Sequence, residues 1–189
     1  MRKTIGIFLG ITSLLVACQQ APKKKINKEK ESASKQVESG RSLKVELNAK
    51  SGSETSGHVT FEEKEGKVFM MAHINGLTPG IHAIHIHEKA DCSSEDGKSS
   101  GGHWNPTFEK HGAWGSESGY HRGDIGNFTA DEGGHGMIEF QTEQWCIGCD
   151  DTAKNLMGKA IIVHQGEDDL SSQPSGAAGA RVSCAGIIL

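Results

Sequence analysis

Eight short segments in which apolar and polar residues alternate, parted by glycine-bearing turns, constrain this chain more than any other feature. A period of two puts one face of each segment in a core and the other in solvent, the pattern of a half-buried β-strand. The segments are Ser42–Asn48, Gly57–Glu62, Lys67–Asn75, Ile81–Glu88, Asp124–Ala130, Gly136–Gln141, Lys159–Gln165 and Arg181–Leu189. Turns at Gly76-Leu77-Thr78-Pro79-Gly80 and Asp131-Glu132-Gly133-Gly134 separate two of the pairs. Glycine, at 25 of 189 residues, disfavours a helix bundle, because each helix-interior Gly costs roughly 1 kcal/mol relative to Ala. With aromatics at only 5%, the core must be mostly aliphatic. The pattern predicts an all-β domain, an eight-stranded Greek-key barrel or sandwich. Two stretches without periodicity, 89–123 and 166–180, read as functional loops. A short helical turn is expected near Asp151–Met157.

The N-terminus reads as an address. Arg2 and Lys3 precede an apolar run from Ile5 to Val16, long enough for a signal peptide and short for a membrane span. Leu15-Val16-Ala17-Cys18 resembles a bacterial lipoprotein box, which makes 1–17 a signal peptide and Cys18 a lipidated N-terminus. An acyl anchor holds a protein at a membrane without a transmembrane helix. Residues 18–40 then form a polar tether, with six lysines against three glutamates and almost no large apolar side chain. The expected location is the cell envelope, periplasmic or outer surface. The rest, 41–189, carries twelve basic and twenty-one acidic residues, a balance that argues against nucleic-acid binding.

Histidine placement points to metals. His85 and His87 sit two apart on one strand, so their imidazoles share a face and can converge on one ion. His103, His111, His121 and Asp124 lie in or beside the loop 89–123, and His164 ends another apolar strand. Imidazole suits copper and zinc, and three His with one carboxylate suit a closed tetrahedral zinc site. His58, His73 and His135 fall outside these motifs and read as non-ligands. Trp104, Trp114 and Trp145 read as packing residues. Phe69-Met70-Met71 reads as core plus an exposed edge rather than a methionine copper site.

Six segments, GLTPGIHAIHIHE (76–88), GGHWNP (101–106), KHGA (110–113), YHRGDIGN (120–127), IIVHQGEDDL (161–170) and GARVSC (179–184), together resemble copper/zinc superoxide dismutase over about residues 42–189. The resemblance implies a Greek-key β-barrel enzyme that disproportionates superoxide into oxygen and hydrogen peroxide. It assigns copper to His85, His87, His103 and His164. Zinc goes to His103, His111, His121 and Asp124, so that His103 is the shared imidazolate and proton carrier. It places Arg181 above the copper and Asp168 as the carboxylate linking a copper ligand to a zinc ligand. His82 becomes a structural residue at the barrel end, and Cys92–Cys184 a disulfide pinning the ligand loop to the last strand. Such a bridge closes a loop of about 90 residues, worth roughly 4–5 kcal/mol in the chain-entropy picture. Secreted chains meet an oxidising compartment, where disulfides persist.

Two features depart from the family pattern. Cys146-Ile147-Gly148-Cys149 lacks both a βαβ context and a second CxxC, and reads as a local disulfide in a surface loop, with free thiols or a metal contact as alternatives. The 166–180 loop contains no Lys, so attraction of an anion falls to Arg181 and to Lys89, Lys98 or Lys110. A non-catalytic copper or zinc buffer on the same fold is the rival reading; inactive relatives typically lack a copper ligand or the arginine, and this chain keeps both. The sequence does not separate monomer from dimer.

Overall fold

A computed structural model describes residues 40–189; the leader, Cys18 and nearly all of the tether lie outside the described residues. Eight strands follow in order: β1 (Arg41–Ala49), β2 (Ser56–Lys64), β3 (Lys67–Asn75), β4 (Gly80–His87), β5 (Gly126–Ala130), β6 (Gly136–Thr142), β7 (Ala160–His164) and β8 (Arg181–Gly186). They close into an antiparallel barrel in the order β1-β2-β3-β6-β5-β4-β7-β8. The jump from β3 to β6 and the return through β4 make the Greek key, so the all-β expectation holds. The expected helical turn is a single turn, too short to count as a helix. Residues 151–155 make one hydrogen-bonded turn, Lys154 and Asn155 N–H both donating to the Asp151 carbonyl. The short 3-10 helix among the described residues is Lys98–Ser100, inside the first long loop.

Alternation delivers the core. Val59, Phe61, Val68, Ala72, Ile84, Ile86, Ile161 and Val163 have no exposed area and face one another inside the barrel. Each of the Val, Ile and Phe side chains among them contributes about 1.5–3 kcal/mol by leaving water. At one end Trp114, Phe140 and Trp145 pack together, Trp114 edge-to-face on the other two, with centroids 4.8–5.8 Å apart, and Trp145 Nε1 donates to the Arg122 carbonyl. Trp145, Cys146 and Ile147 are buried, so this segment is more than a surface loop. Its two cysteines form a disulfide, as do Cys92 and Cys184.

Strand β4 is buried on both sides. His82, Ile84 and Ile86 face the barrel interior, while His85 and His87 face outward beneath the two long loops. A bulge at Val163/His164 sets His164 opposite Arg181 of β8.

Candidate metal centre

Two groups of four donors converge under the loops. His85, His87, His103 and His164 bring one ligand atom each to within 4.8 Å of one another, and His103, His111, His121 and Asp124 do the same. His103 belongs to both. Its ring centre lies 4.0 Å from that of His85 and 5.3 Å from that of His111. All seven residues of the two groups are buried.

Local contacts explain the convergence. The Gly-His-Trp turn is pinned on β4, Trp104 N–H donating to the Ile86 carbonyl and Gly123 N–H to the Trp104 carbonyl. Gly123 is required there: a Cβ would sit 2.1 Å from the Ile86 oxygen. Asp124 then reaches back, its Oδ2 accepting from the backbone N–H of His121 at 2.7 Å and of Gly112 at 3.2 Å.

The unused atoms show what the pockets fit. A buried polar atom without a partner is rare in folded proteins. Here His85 Nδ1, His87 Nε2, His103 Nε2 and both ring nitrogens of His164 are buried without a hydrogen-bond partner. His111 Nδ1 and His121 Nδ1 stand 3.0 and 3.3 Å from Asp124 oxygens yet also lack hydrogen-bond geometry. Lone pairs aimed at a common centre are what a cation needs. The all-imidazole group suits copper, and the His3Asp group suits a closed zinc site.

The opposite ring nitrogens are held. His87 Nδ1–H donates to the Gly101 carbonyl at 3.0 Å. His85 Nε2 and His111 Nε2 bond the two oxygens of Asp168 at 2.7 and 2.9 Å, so one carboxylate joins the two groups. Such partners fix the tautomer and aim of a ligand. His82 lies between the carbonyls of Thr78 (2.8 Å) and His164 (2.9 Å), behind the cluster.

Three supports were not legible as site residues in the sequence. Asn127 clamps the backbone of Asp168, donating to its carbonyl and accepting from its N–H, both at 2.8 Å. Gln173 clamps His111 in the same two-way manner. Gly176 has φ +67° and leaves room for Asp168; a Cβ would lie 1.7 Å from Oδ1. Only Asn127 had a signal, as the last residue of the YHRGDIGN segment.

Burial drives the pKa values of His87 and His164 well below the usual imidazole range and that of His103 to about 4. Burial also opposes the charge of His111, but Asp124 and Asp168 outweigh it and raise its pKa to about 9. Burial disfavours the Asp124 and Asp168 carboxylates, yet hydrogen bonds from the histidines prevail and hold both well below the carboxylate range.

His87, His103, His121 and His164 open onto a cleft of about 700 Å³ that Arg181 also lines. The guanidinium donates from one nitrogen to the Gly97 carbonyl (2.8 Å) and to Ser100 Oγ (3.0 Å). Lys98 and Lys110 line the cleft and Lys89 does not; Lys98 is paired with Asp96 at 3.0 Å.

Comparison with known proteins agrees with this geometry. The family model "Copper/zinc superoxide dismutase (SODC)" matches residues 55–187. Superoxide dismutase [Cu-Zn] 2 of Aquifex aeolicus (strain VF5) is 34% identical over 136 residues, 69% of this chain and 78% of that protein. The human copper chaperone for superoxide dismutase is 36% identical over 121 residues, 61% of this chain but only 41% of the chaperone. A double mutant of a SOD-like protein from Bacillus subtilis superposes with TM-score 0.69 at 29% identity, covering 77% of this chain and 97% of that one. The clock protein EA4 does so with TM-score 0.67 at 31% identity, covering 79% and 96%. With a match to the family over most of its length, its barrel and two donor groups fitted to copper and zinc, the chain belongs to the copper/zinc superoxide dismutase family.

Proposed function

We propose that the protein is a superoxide dismutase: two superoxide anions and two protons give one oxygen and one hydrogen peroxide. The observation that carries this is the buried imidazole of His103, shared by the two donor groups and lining a cleft that Arg181 also lines. Copper held by His85, His87, His103 and His164 would supply the Cu(II)/Cu(I) couple, and zinc held by His103, His111, His121 and Asp124 a fixed positive charge. Arg181 binds and orients the small anion, its guanidinium already fixed by Gly97 and Ser100. His103 keeps Nδ1 on the Asp124 side and carries one of the two protons at Nε2, the atom facing the copper donors. Asp168 holds His85 and His111 by their far nitrogens and keeps both rings aimed.

The test is metal content and superoxide consumption of purified protein, with and without chelator. Native protein is expected to carry one copper and one zinc per chain and to lose activity on chelation. His164→Ala should lose copper and activity yet keep zinc and fold. Retained activity in that variant would defeat the copper assignment.

The N-terminal sequence supports a second element of the proposal: lipidation at Cys18, a tether to residue 40, and protection of the cell envelope from superoxide. Cys18→Ser should release the protein from membranes into the soluble fraction.

A further inference from the structure

Ten histidines are present. Six stand in the two donor groups and His82 is locked in the barrel end, which leaves His58, His73 and His135. The fold gathers these three at one corner of the β2-β3-β6 surface, on the wall opposite β4 and β7 in the ring of strands.

His58 of β2 is paired directly with His73 of β3, and His73 is paired on its other side with Met137 of β6. Directly paired residues point to the same face. That face is the solvent side: Val59, Ala72 and Ile74 are buried, whereas His73 and Met137 are exposed and His58 is half-buried. The His58 and His73 rings lie 5.2 Å apart between centres, inclined by 32°. An ion bonded to an imidazole nitrogen at about 2.0–2.1 Å sits roughly 3 Å from the ring centre. Two rings about 5 Å apart are therefore close enough to share one ion once their nitrogens turn toward it.

Neighbouring groups favour a soft ion. Met137 presents its thioether from an exposed strand position, 57% accessible, where a packing role does not explain it. Met71, two residues before His73 on the same face, is exposed as well. Glu46, opposite His58 on β1, is engaged by Lys44 at 2.9 Å. His135 donates Nδ1–H to Asn75 Oδ1 at 2.8 Å, which leaves its Nε2 a lone pair one row further along. Imidazole with thioether selects copper(I) over hard divalent cations.

We propose that His58, His73 and Met137 form a surface binding site for copper(I), separate from the buried donor groups. Protein carrying its copper and zinc is titrated anaerobically with Cu(I) against a chromogenic Cu(I) chelator, while imidazole nitrogen signals are followed by NMR. The wild type should take up a further Cu(I) equivalent as the His58 and His73 ring signals shift. The double variant His58→Ala/His73→Ala should lose this uptake with buried metals and activity unchanged. Met137→Leu should weaken Cu(I) binding by about tenfold or more, leaving Zn(II) binding to the imidazole pair unaltered. Equal uptake by the double variant, ring signals that stay put during uptake, no further uptake by the wild type, or Zn(II) held more tightly than Cu(I) would each overturn the proposal. The ring signals report on these two residues whatever the buried groups hold.

Discussion

At the scale of single residues, the centre depends on side chains that never face a metal. Gly176 is the sharpest case, because any Cβ there collides with the carboxylate that His85 and His111 share. Gly176→Ala should free both rings and weaken metal retention by about 10–100-fold, as loss of an outer partner does elsewhere. Competition with a graded series of chelators measures it, and unchanged retention would show that Asp168 is dispensable. His111 gives a pH signature. Its pKa, raised to about 9, leaves it protonated at neutral pH in the metal-free protein, while Nε2–H stays on Asp168. Zinc needs Nδ1 bare, so loading must expel that proton. Apparent zinc affinity should climb about tenfold per pH unit from about pH 7 to 9 and then level off. Calorimetry in buffers of different ionisation enthalpy would count the proton. By contrast, burial keeps His87 and His164 neutral at that pH, so their copper affinity should change little over the same range.

At the scale of elements, the Cys92–Cys184 bridge ties the first long loop to β8, the strand that carries Arg181. The same loop grips the arginine through Gly97 and Ser100, and Lys50 Nζ donates to the Cys92 carbonyl. Cys184→Ala should lower the unfolding midpoint by roughly 10 °C. Activity should fall at temperatures where the barrel is still folded, because the guanidinium loses its mooring. Paired melting and activity curves test this. How far the elements were legible follows from what fixes each. The strands were readable because inward and outward positions differ in polarity, as in Lys67–Asn75, where every second side chain is buried. The 3-10 turn Lys98–Ser100 was not, because backbone contacts to Arg181 and a glycine at φ +68° shape it rather than periodicity. The donor histidines stood out by residue type. Gln173 and Gly176 did not, since a clamp on a backbone amide and an absent Cβ leave no mark in composition or spacing.

At the scale of the whole molecule, net charge works against the proposed anionic substrate. The folded part carries twelve basic against twenty-one acidic residues, and Glu88, Asp96 and Glu109 sit on the cleft with Lys98 and Lys110. Attraction of an anion then rests on Arg181 and on Lys110, which has no ion-pair partner among the described residues. The rate should fall as salt rises, and Lys110→Glu should lower kcat/KM at low ionic strength while erasing much of that dependence. A stopped-flow salt series decides; a flat or rising profile in the wild type would remove steering. The alternation along β4 reaches further. His82, Ile84 and Ile86 fill the barrel, while His85 and His87 stand in the donor group fitted to copper. Scaffold and chemistry are thus written on interleaved letters of one strand. Mutation can rewrite one set and spare the other, so a lineage can retire the reaction, keep the architecture and put it to new work.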